Sequence, residues 1–230
     1  APYMETLDAL TGVRRLRLGD GVWARGEGLV FEGFNEAIHV VPRFEVPLQW
    51  PAYWSIDFGF TNPFTFQCWR EDHDGRLYLT HELYGTQTLV EDWAQKILAL
   101  RLTPFPNVVI CDHDAEDRAT LEKHLGIPSV GAKKSVSDGI QAVATRLRAA
   151  KDGKPRLFIF EDSLIERDKE LENRKKPTRV IEEFPGYVWA SKPGGLMKEE
   201  PVKANDHGLD ALRYMVAQLD LRREYRIRWL

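Results

Sequence analysis

Hydrophobic and polar residues alternate along residues 52–83 with the period of two that is typical of β-strands. The first alternating stretch covers residues 54–60 and has Ser55 and Asp57 on one side. The second and third stretches are separated by Asp74-Gly75, a pair that favours a tight hairpin. The pattern therefore predicts an antiparallel meander of three strands, the first of them half-buried.

Beyond residue 83 the pattern changes to helical spacing interrupted by short apolar runs. Apolar residues three and four positions apart predict helices near residues 88–100, 116–125, 135–147 and 204–219. Continuous apolar runs predict buried strands, and such runs lie at residues 108–111, 127–130 and 156–160. This order predicts an α/β fold with a mixed central sheet, a three-strand antiparallel meander joined to parallel strands and flanked by helices.

Two local features refine this picture. Thr88 and Glu91 have the spacing of a capping box, so we expect Thr88 to cap the first of these helices. The stretch at residues 183–190 is expected to be one arm of a further hairpin.

The first 48 residues are organised differently, as short pieces rich in glycine and aromatic residues. We interpret residues 1–48 as a linker or tail that packs on the main domain, residues 49–230. A strand-like run lies within the tail at residues 37–41. The chain is long enough to bury a core of its own.

Composition favours an ordinary globular protein. The 230 residues are 43% hydrophobic and 29% charged. No apolar run reaches the ~18 residues of a membrane span, and no signal-peptide pattern opens the chain. Cys68 and Cys111 lie in apolar runs, so we expect reduced core residues and an intracellular compartment. The net charge of −3 argues against coating nucleic acid through bulk charge but permits a local basic groove.

Three segments place carboxylates at the ends of apolar elements or on their polar side. Asp57 lies in the first strand, and Asp112 directly follows the apolar run at 108–111. Asp206 and Asp210 lie one turn apart on the late helix, opposite its apolar stripe. Carboxylates are the ligands that Mg²⁺ prefers, and two ions about 3.5–4 Å apart can stabilise both oxygens of phosphodiester cleavage. We therefore expect these acidic residues to meet in a divalent-metal site.

Each of these residues also has a simpler structural explanation. Asp57 can bond the backbone of the turn that follows it, and Asp206 can be an acidic residue favoured by the helix dipole. His207, three positions before Asp210, can be a surface histidine. Asp210 lies too far into the helix to cap it, so we favour a functional role for this residue.

Four lysines are candidate contacts to a phosphate backbone. Lys133 and Lys134 lie in the loop before a predicted helix, and Lys175 and Lys176 lie in the basic end of a mixed-charge segment. Lysines in such segments are commonly just solvated. The sequence contains no P-loop, dinucleotide-binding, H-E-x-x-H or G-x-S-x-G motif, and its two separated cysteines form no zinc site.

Three longer segments carry a family resemblance: W-S-I-D-F-G-F-T-N-P at 54–63, V-V-I-C-D at 108–112 and N-D-H-G-L-D-A-L-R-Y at 205–214. Together they resemble the C-terminal nuclease domain of the large terminase subunit of tailed bacteriophages or prophages. Further resemblance at 21–31, 132–140 and 182–189 extends it over nearly the whole chain.

The resemblance implies an RNase H-like fold and a nuclease that cuts concatemeric double-stranded viral DNA during packaging with two Mg²⁺ or Mn²⁺ ions. It implies that Asp57, Asp112 and Asp210 are catalytic metal ligands, with Asp57 bridging the two ions. His207 would be a supporting catalytic residue, and Asp206 would be the alternative metal ligand on the helix. The four lysines named above would contact the DNA.

The resemblance also implies partners: an ATPase domain ahead of residues 1–48 in a longer chain, a small terminase subunit and a portal protein. The implied location is the cytoplasm of the infected bacterium, with no membrane association. Two alternatives stay open, namely another RNase H-like nuclease of the junction-resolvase type, or a non-catalytic RNase H-like scaffold that binds DNA or the portal.

Overall fold

The computed structural model describes residues 28–133, 135–191 and 197–227. The strands in these residues are β1 (Val40–Val41), β2 (Ala52–Asp57), β3 (Phe64–Glu71), β4 (Leu77–Gly85), β5 (Val109–Cys111), β6 (Ser129–Gly131), β7 (Leu157–Phe160), β8 (Trp189–Ser191) and β9 (Met197–Pro201). The helices are α1 (Glu36–His39), α2 (Val90–Ala99), α3 (Ala115–Leu125), α4 (Val136–Leu147), α5 (Lys169–Asn173), α6 (Val180–Glu183) and α7 (His207–Ile227). A 3₁₀ turn, Phe184–Gly186, follows α6.

A mixed sheet of seven strands has the order β1-β7-β4-β3-β2-β5-β6. Strands β2, β3 and β4 are antiparallel neighbours, which confirms the predicted meander. The other neighbours run parallel, so the predicted mixed sheet is confirmed. Strands β8 and β9 form a separate hairpin. The arm expected at residues 183–190 is therefore only partly right, because α6 and the 3₁₀ turn occupy its first half.

Each face of the sheet packs on its own hydrophobic core. Side chains of α4 and α7 fill the core on one face, and those of α2 and α3 fill the core on the other. Strand β5 contributes Ile110 to the first core and Val109 and Cys111 to the second, as alternation along a strand requires. The crossover helices thus cover both faces, which is the usual environment of parallel strands.

Strand β2 is buried on both sides, so the prediction of a half-buried strand is wrong. Trp54 and Ile56 lie in the second core, and Ser55 and Asp57 alternate to the opposite face. That face is buried too, because α7 packs against β2. The polar positions of this strand therefore face protein groups, not bulk water.

Helix α7 is also more buried than its sequence pattern predicts. It begins at His207 and ends at Ile227, later at both ends than expected. Residues 208–218 are all buried, including the polar Arg213 and Gln218. Contacts with α4, α6, β2 and β3 enclose the helix, so its polar arc faces partners inside the protein.

The capping box expected at the start of α2 does not form. The N-cap is Leu89, which makes no side-chain cap hydrogen bond, and the helix begins at Val90. Thr88 instead donates a hydrogen bond to the carbonyl of Thr86. The threonine is therefore one residue too early to cap α2.

The described part of the N-terminal segment packs on the main domain. Val30 and Phe31 lie in the first core, and β1 pairs with β7 in the main sheet. The run at 37–41, expected as a strand, is mostly helix α1, because Asn35 caps a helical turn there. The domain boundary at residue 48 stays a prediction.

Cys68 and Cys111 are buried free cysteines, as the sequence predicts. Within the described residues, every helix is too short or too polar to span a membrane.

Candidate metal centre

Two neighbouring parallel strands deliver the first two acidic residues. Strands β2 and β5 pair with Ile56 opposite Cys111, and the N–H of Asp112 donates to the carbonyl of Ile56 at 3.2 Å. Asp57 and Asp112 therefore lie side by side at the C-terminal edge of these strands, where α/β sheets commonly bind ligands. Asp57 is 7% exposed, and Asp112 is partly exposed.

The loop after β2 folds back closely on itself. A Cβ added at Gly59 would lie 2.5 Å from the carbonyl oxygens of both Asn62 and Pro63. A side chain does not fit there, which explains the glycine two residues after Asp57. The loop thereby forms one wall of the cleft that contains Asp57.

Helix α7 meets Asp57 from the opposite side. The Nδ1 atom of His207 lies 3.0 Å from Asp57 Oδ2, and the Tyr214 hydroxyl donates to Asp57 Oδ1 at 3.1 Å. His207 and Tyr214 are seven residues apart and so share one helix face. Both oxygens of Asp57 are therefore held by one helix.

Asp57 lies in an unfavourable environment for a carboxylate. Burial raises its pKa from 3.8 to about 6, and the nearby carboxylates of Asp210 and Asp112 act in the same direction. Hydrogen bonding to His207 opposes this rise in pKa. A bound cation would relieve the repulsion among these carboxylates.

Asp210 is balanced by two basic side chains. Arg213 Nη2 lies 2.8 Å from Asp210 Oδ1, and Lys203 Nζ lies 2.9 Å from Asp210 Oδ2. Lys203 Nζ also lies 3.4 Å from Asp206 Oδ2. Burial, together with Asp210, raises the pKa of Asp206. The Lys203 ammonium thus lies between the two helix carboxylates.

The chemistry of these residues fits a divalent ion. Their donors are carboxylate oxygens and one imidazole, and Asp206 Oδ2 is a buried oxygen without a hydrogen-bond partner. The position of Lys203 shows that positive charge is favoured between Asp206 and Asp210. In the part of the chain that the structure describes, no three His, Cys, Asp or Glu side chains stand close enough to form a ready metal cluster. Metal binding therefore requires the acidic side chains to adjust.

One cleft of about 780 Å³ brings together all five acidic and imidazole residues singled out in the sequence, Asp57, Asp112, Asp206, His207 and Asp210. Their assignment as metal ligands or catalytic groups stays a prediction. Asp210 is not a surface residue, because it is only 7% exposed. Asp206 directly precedes the first residue of α7, so the favourable helix dipole remains an explanation for it, although the residue is only 6% exposed.

The candidate DNA-binding lysines are placed differently from one another. Lys176 lines the cleft and donates to Asn205 Oδ1 at 3.2 Å, and Arg174 lines the cleft beside it. Lys175 is exposed but does not line the cleft, and neither does Lys133. Lys134 lies outside the described residues. The same cleft that contains the acidic residues therefore has a basic wall at Arg174 and Lys176.

Sequence reasoning missed several residues of this site. Arg213 and Tyr214 lie inside the segment that carried the family resemblance, but their roles depend on which helix face meets β2. Lys203 precedes the helix, and no spacing rule relates it to the acidic residues. Tyr84 lines the cleft from β4. The sequence pattern of β4 predicts a strand but does not indicate that this tyrosine faces the cleft.

The sheet order, the two strand-end carboxylates and the covering helix place this domain in the RNase H-like fold class. Its structural neighbours are large terminase nuclease domains of bacteriophages. The resemblance inferred from the sequence segments is thereby confirmed.

Three solved structures illustrate the similarity. The large terminase of a thermophilic bacteriophage, solved in complex with ADP, has a TM-score of 0.66 and 30% identity, over 86% of this chain and 46% of that one. The nuclease domain of the P22 large terminase has a TM-score of 0.61 and 20% identity, over 87% and 95%. The nuclease domain of the bacteriophage SPP1 large terminase, with bound Mn, has a TM-score of 0.55 and 18% identity, over 83% and 99%. The chain thus spans about half the length of the ADP-bound terminase. No protein-family model matches the chain, and no curated protein matches its sequence.

Proposed function

We propose that this chain is the nuclease domain of a viral genome-packaging motor, a metal-dependent endonuclease that cuts concatemeric double-stranded DNA. The observation that carries the proposal is the convergence of Asp57, Asp112 and Asp210 in one cleft. This cleft lies on the fold of large terminase nuclease domains. Because a fold alone does not define an activity, the acidic cleft is the stronger support.

The proposed cofactor is Mg²⁺ or Mn²⁺, with two ions per site. Neighbours of the same fold were solved with manganese, for SPP1, and with cobalt, for phage G20c. Asp57, Asp112 and Asp210 would hold the ions, with Asp206 as the further helix ligand. A bound divalent ion would supply an activated water and would stabilise the charge that develops on the phosphodiester oxygens.

The side chains around the ligands have distinct tasks in this proposal. His207 and Tyr214 orient Asp57 through its two oxygens. Arg213 fixes one oxygen of Asp210 from a buried position. Lys176 and Arg174 contact the phosphate backbone and keep the DNA over the acidic residues.

The length of the ADP-bound terminase supports a proposal about the wider assembly. That protein was solved with the nucleotide, and this chain covers 46% of it. We therefore propose that an ATPase domain belongs to the same full-length chain, joined through residues 1–48. A small terminase subunit, a portal protein and the cytoplasm of an infected bacterium complete the proposal.

A plasmid-nicking assay with Mg²⁺, Mn²⁺ or EDTA tests this function, with Mn²⁺ binding measured on the same samples by titration calorimetry. Asp57→Ala is expected to lower nicking at least about a hundredfold, since metal ions supply several kcal/mol to such reactions and ~1.4 kcal/mol is tenfold. Asp92→Ala removes an exposed carboxylate of α2 outside the cleft and should leave nicking unchanged.

Undiminished nicking by Asp57→Ala would refute the proposed site. A wild-type chain that binds DNA but neither binds Mn²⁺ nor nicks would instead support the non-catalytic scaffold. Four-way junctions and linear duplex are compared in parallel, because a strong preference for the junction would favour a resolvase.

A further inference from the structure

The start of helix α7 is held by a carboxylate from another part of the chain. Glu183, the last residue of α6, accepts hydrogen bonds from the N–H groups of Gly208, at 3.0 Å, and Leu209, at 2.8 Å. These amides are at the second and third positions of α7 and have no intrahelical acceptor. An N-cap residue normally satisfies these two donors.

Asp206 occupies the position from which an aspartate usually caps a helix. Its Oδ2 atom has no hydrogen-bond partner and lies toward Lys203 in the cleft. Because Glu183 bonds the two amides, Asp206 is released from capping and faces the acidic cleft. The cap and the candidate ligand are thus two separate residues.

Glu183 is itself fixed in place. Its side chain is buried, with the residue 1% exposed, and its Oε1 atom also accepts a hydrogen bond of 2.6 Å from the Tyr84 hydroxyl. Burial raises the pKa of Glu183 well above its usual range, whereas its three donors favour the ionised form. All three of its hydrogen-bond partners are donors, which is the arrangement that suits a carboxylate.

Gly208 permits this contact by its lack of a side chain. A Cβ at Gly208 would lie 2.9 Å from the Val180 Cβ and 3.1 Å from Glu183 Oε2. Helix α6 therefore packs directly against the first turn of α7. The carbonyl of Gly208 also accepts from Gln67 Nε2 at 2.9 Å, which ties the same turn to strand β3.

We propose that Glu183 is a positioning residue of the metal site, which caps α7 from α6 and so holds His207 and Asp210 toward Asp57, while the Asp206 side chain is not needed to cap the helix. This inference rests on the proposed function for the identity of the site. The capping contact itself does not depend on metal. It can therefore be tested separately.

The metal-free arm measures amide hydrogen exchange at Gly208 and Leu209 by NMR of the 230-residue chain in EDTA. Both amides are expected to be protected in the wild type and to exchange at least about tenfold faster in Glu183→Ala. Glu183→Gln keeps the shape but presents an NH₂ group to one of the two donors, so one amide should lose protection. Unprotected amides in the wild type, or unchanged exchange in the variants, would overturn the proposal.

The metal arm measures Mn²⁺ affinity by titration calorimetry at a temperature where each protein is folded. Glu183→Gln is expected to weaken Mn²⁺ binding by about 10- to 100-fold, the range found when groups that orient metal ligands are replaced. The control is Ile97→Ala, a buried change in α2 on the other face of the sheet. It lowers stability but should change the Mn²⁺ Kd less than about twofold, because it touches no group at the site.

Equal weakening by Glu183→Gln and Ile97→Ala would mean a merely structural role and would reject the positioning role. Protected amides in a wild type that binds no Mn²⁺ would reject the proposed nuclease function and leave the cap intact. Unchanged Mn²⁺ affinity in Glu183→Gln beside normal wild-type binding would reject the inference alone.

Discussion

Replacing Glu82 with glutamine is expected to remove a pH-dependent loss of stability. Glu82 is 0% exposed in strand β4. Its Oε1 atom accepts from the Val180 N–H at 3.0 Å and from Gln67 Nε2 at 3.4 Å, whereas Oε2 has no partner. Burial raises the pKa of Glu82 from 4.5 to about 7. Glutamine can keep the oxygen contacts without the charge.

The direction of the effect follows from the two pKa values of Glu82. Below about pH 4.5 the carboxyl is protonated in both the folded and the unfolded chain. Between about pH 4.5 and 7 the unfolded chain releases the proton first, so the free energy of unfolding falls as pH rises. The difference of about 2.5 in pKa corresponds to at most ~3 kcal/mol, which is fully lost above pH 7.

Urea unfolding in EDTA at pH 5 and pH 8 measures this effect. The free energy of unfolding of Glu82→Gln, taken relative to that of wild type, should be up to about 3 kcal/mol higher at pH 8 than at pH 5. Comparing the variant with wild type at each pH cancels the titration of other groups to first order. A stability difference that is the same at both pH values, or that falls at pH 8, would refute the reasoning.

Two further predictions concern the cleft. Lys176→Ala should reduce the salt slope of DNA binding, measured by fluorescence anisotropy in EDTA, by about 0.9 for one lost phosphate contact. Lys175→Ala, its exposed neighbour outside the cleft, should change the slope less, and equal slopes for the two variants would contradict the proposed basic wall. Tyr214→Phe should lower nicking about fivefold, because Asp57 loses a hydrogen bond with a net value of ~1 kcal/mol. Unchanged nicking in Tyr214→Phe would show that the hydroxyl is not needed to orient Asp57.

Much of the fold could be predicted from the sequence because strand signals are local. The alternation at residues 52–83 and the Asp74-Gly75 pair specify a meander, whose strands pair as expected. The apolar run before Asp112 specifies a parallel strand, and neighbouring parallel strands bring their C-terminal ends to one edge. The pattern therefore predicts that Asp112 lies at the end of a parallel strand, whereas the pairing of β2 with β5, which brings Asp57 beside Asp112, is known only from the structure.

The environment of these residues could not be predicted in the same way. Polar positions in β2 and α7 have the periodicity of exposed faces, yet β2 and residues 208–218 of α7 are buried. Periodicity reports which residues share a side, whereas burial depends on what packs there. The pairs of Lys203 with Asp210 and of Glu183 with Leu209 join separate elements, so no local spacing indicates them.

The two buried glutamates behind the cleft are best understood through the backbone groups that they satisfy. Glu82 bonds the first amide of α6, and Glu183 bonds Gly208 and Leu209 at the start of α7. Apolar replacements would avoid the burial of charge but would leave these buried amides unpaired, at about 1–3 kcal/mol each. Retaining both acids keeps the amides bonded and sets α6 and α7 in a fixed relation to the sheet. Burying these two glutamates costs stability, because burial raises their pKa values. The same glutamates hold in place the helix that carries Asp210.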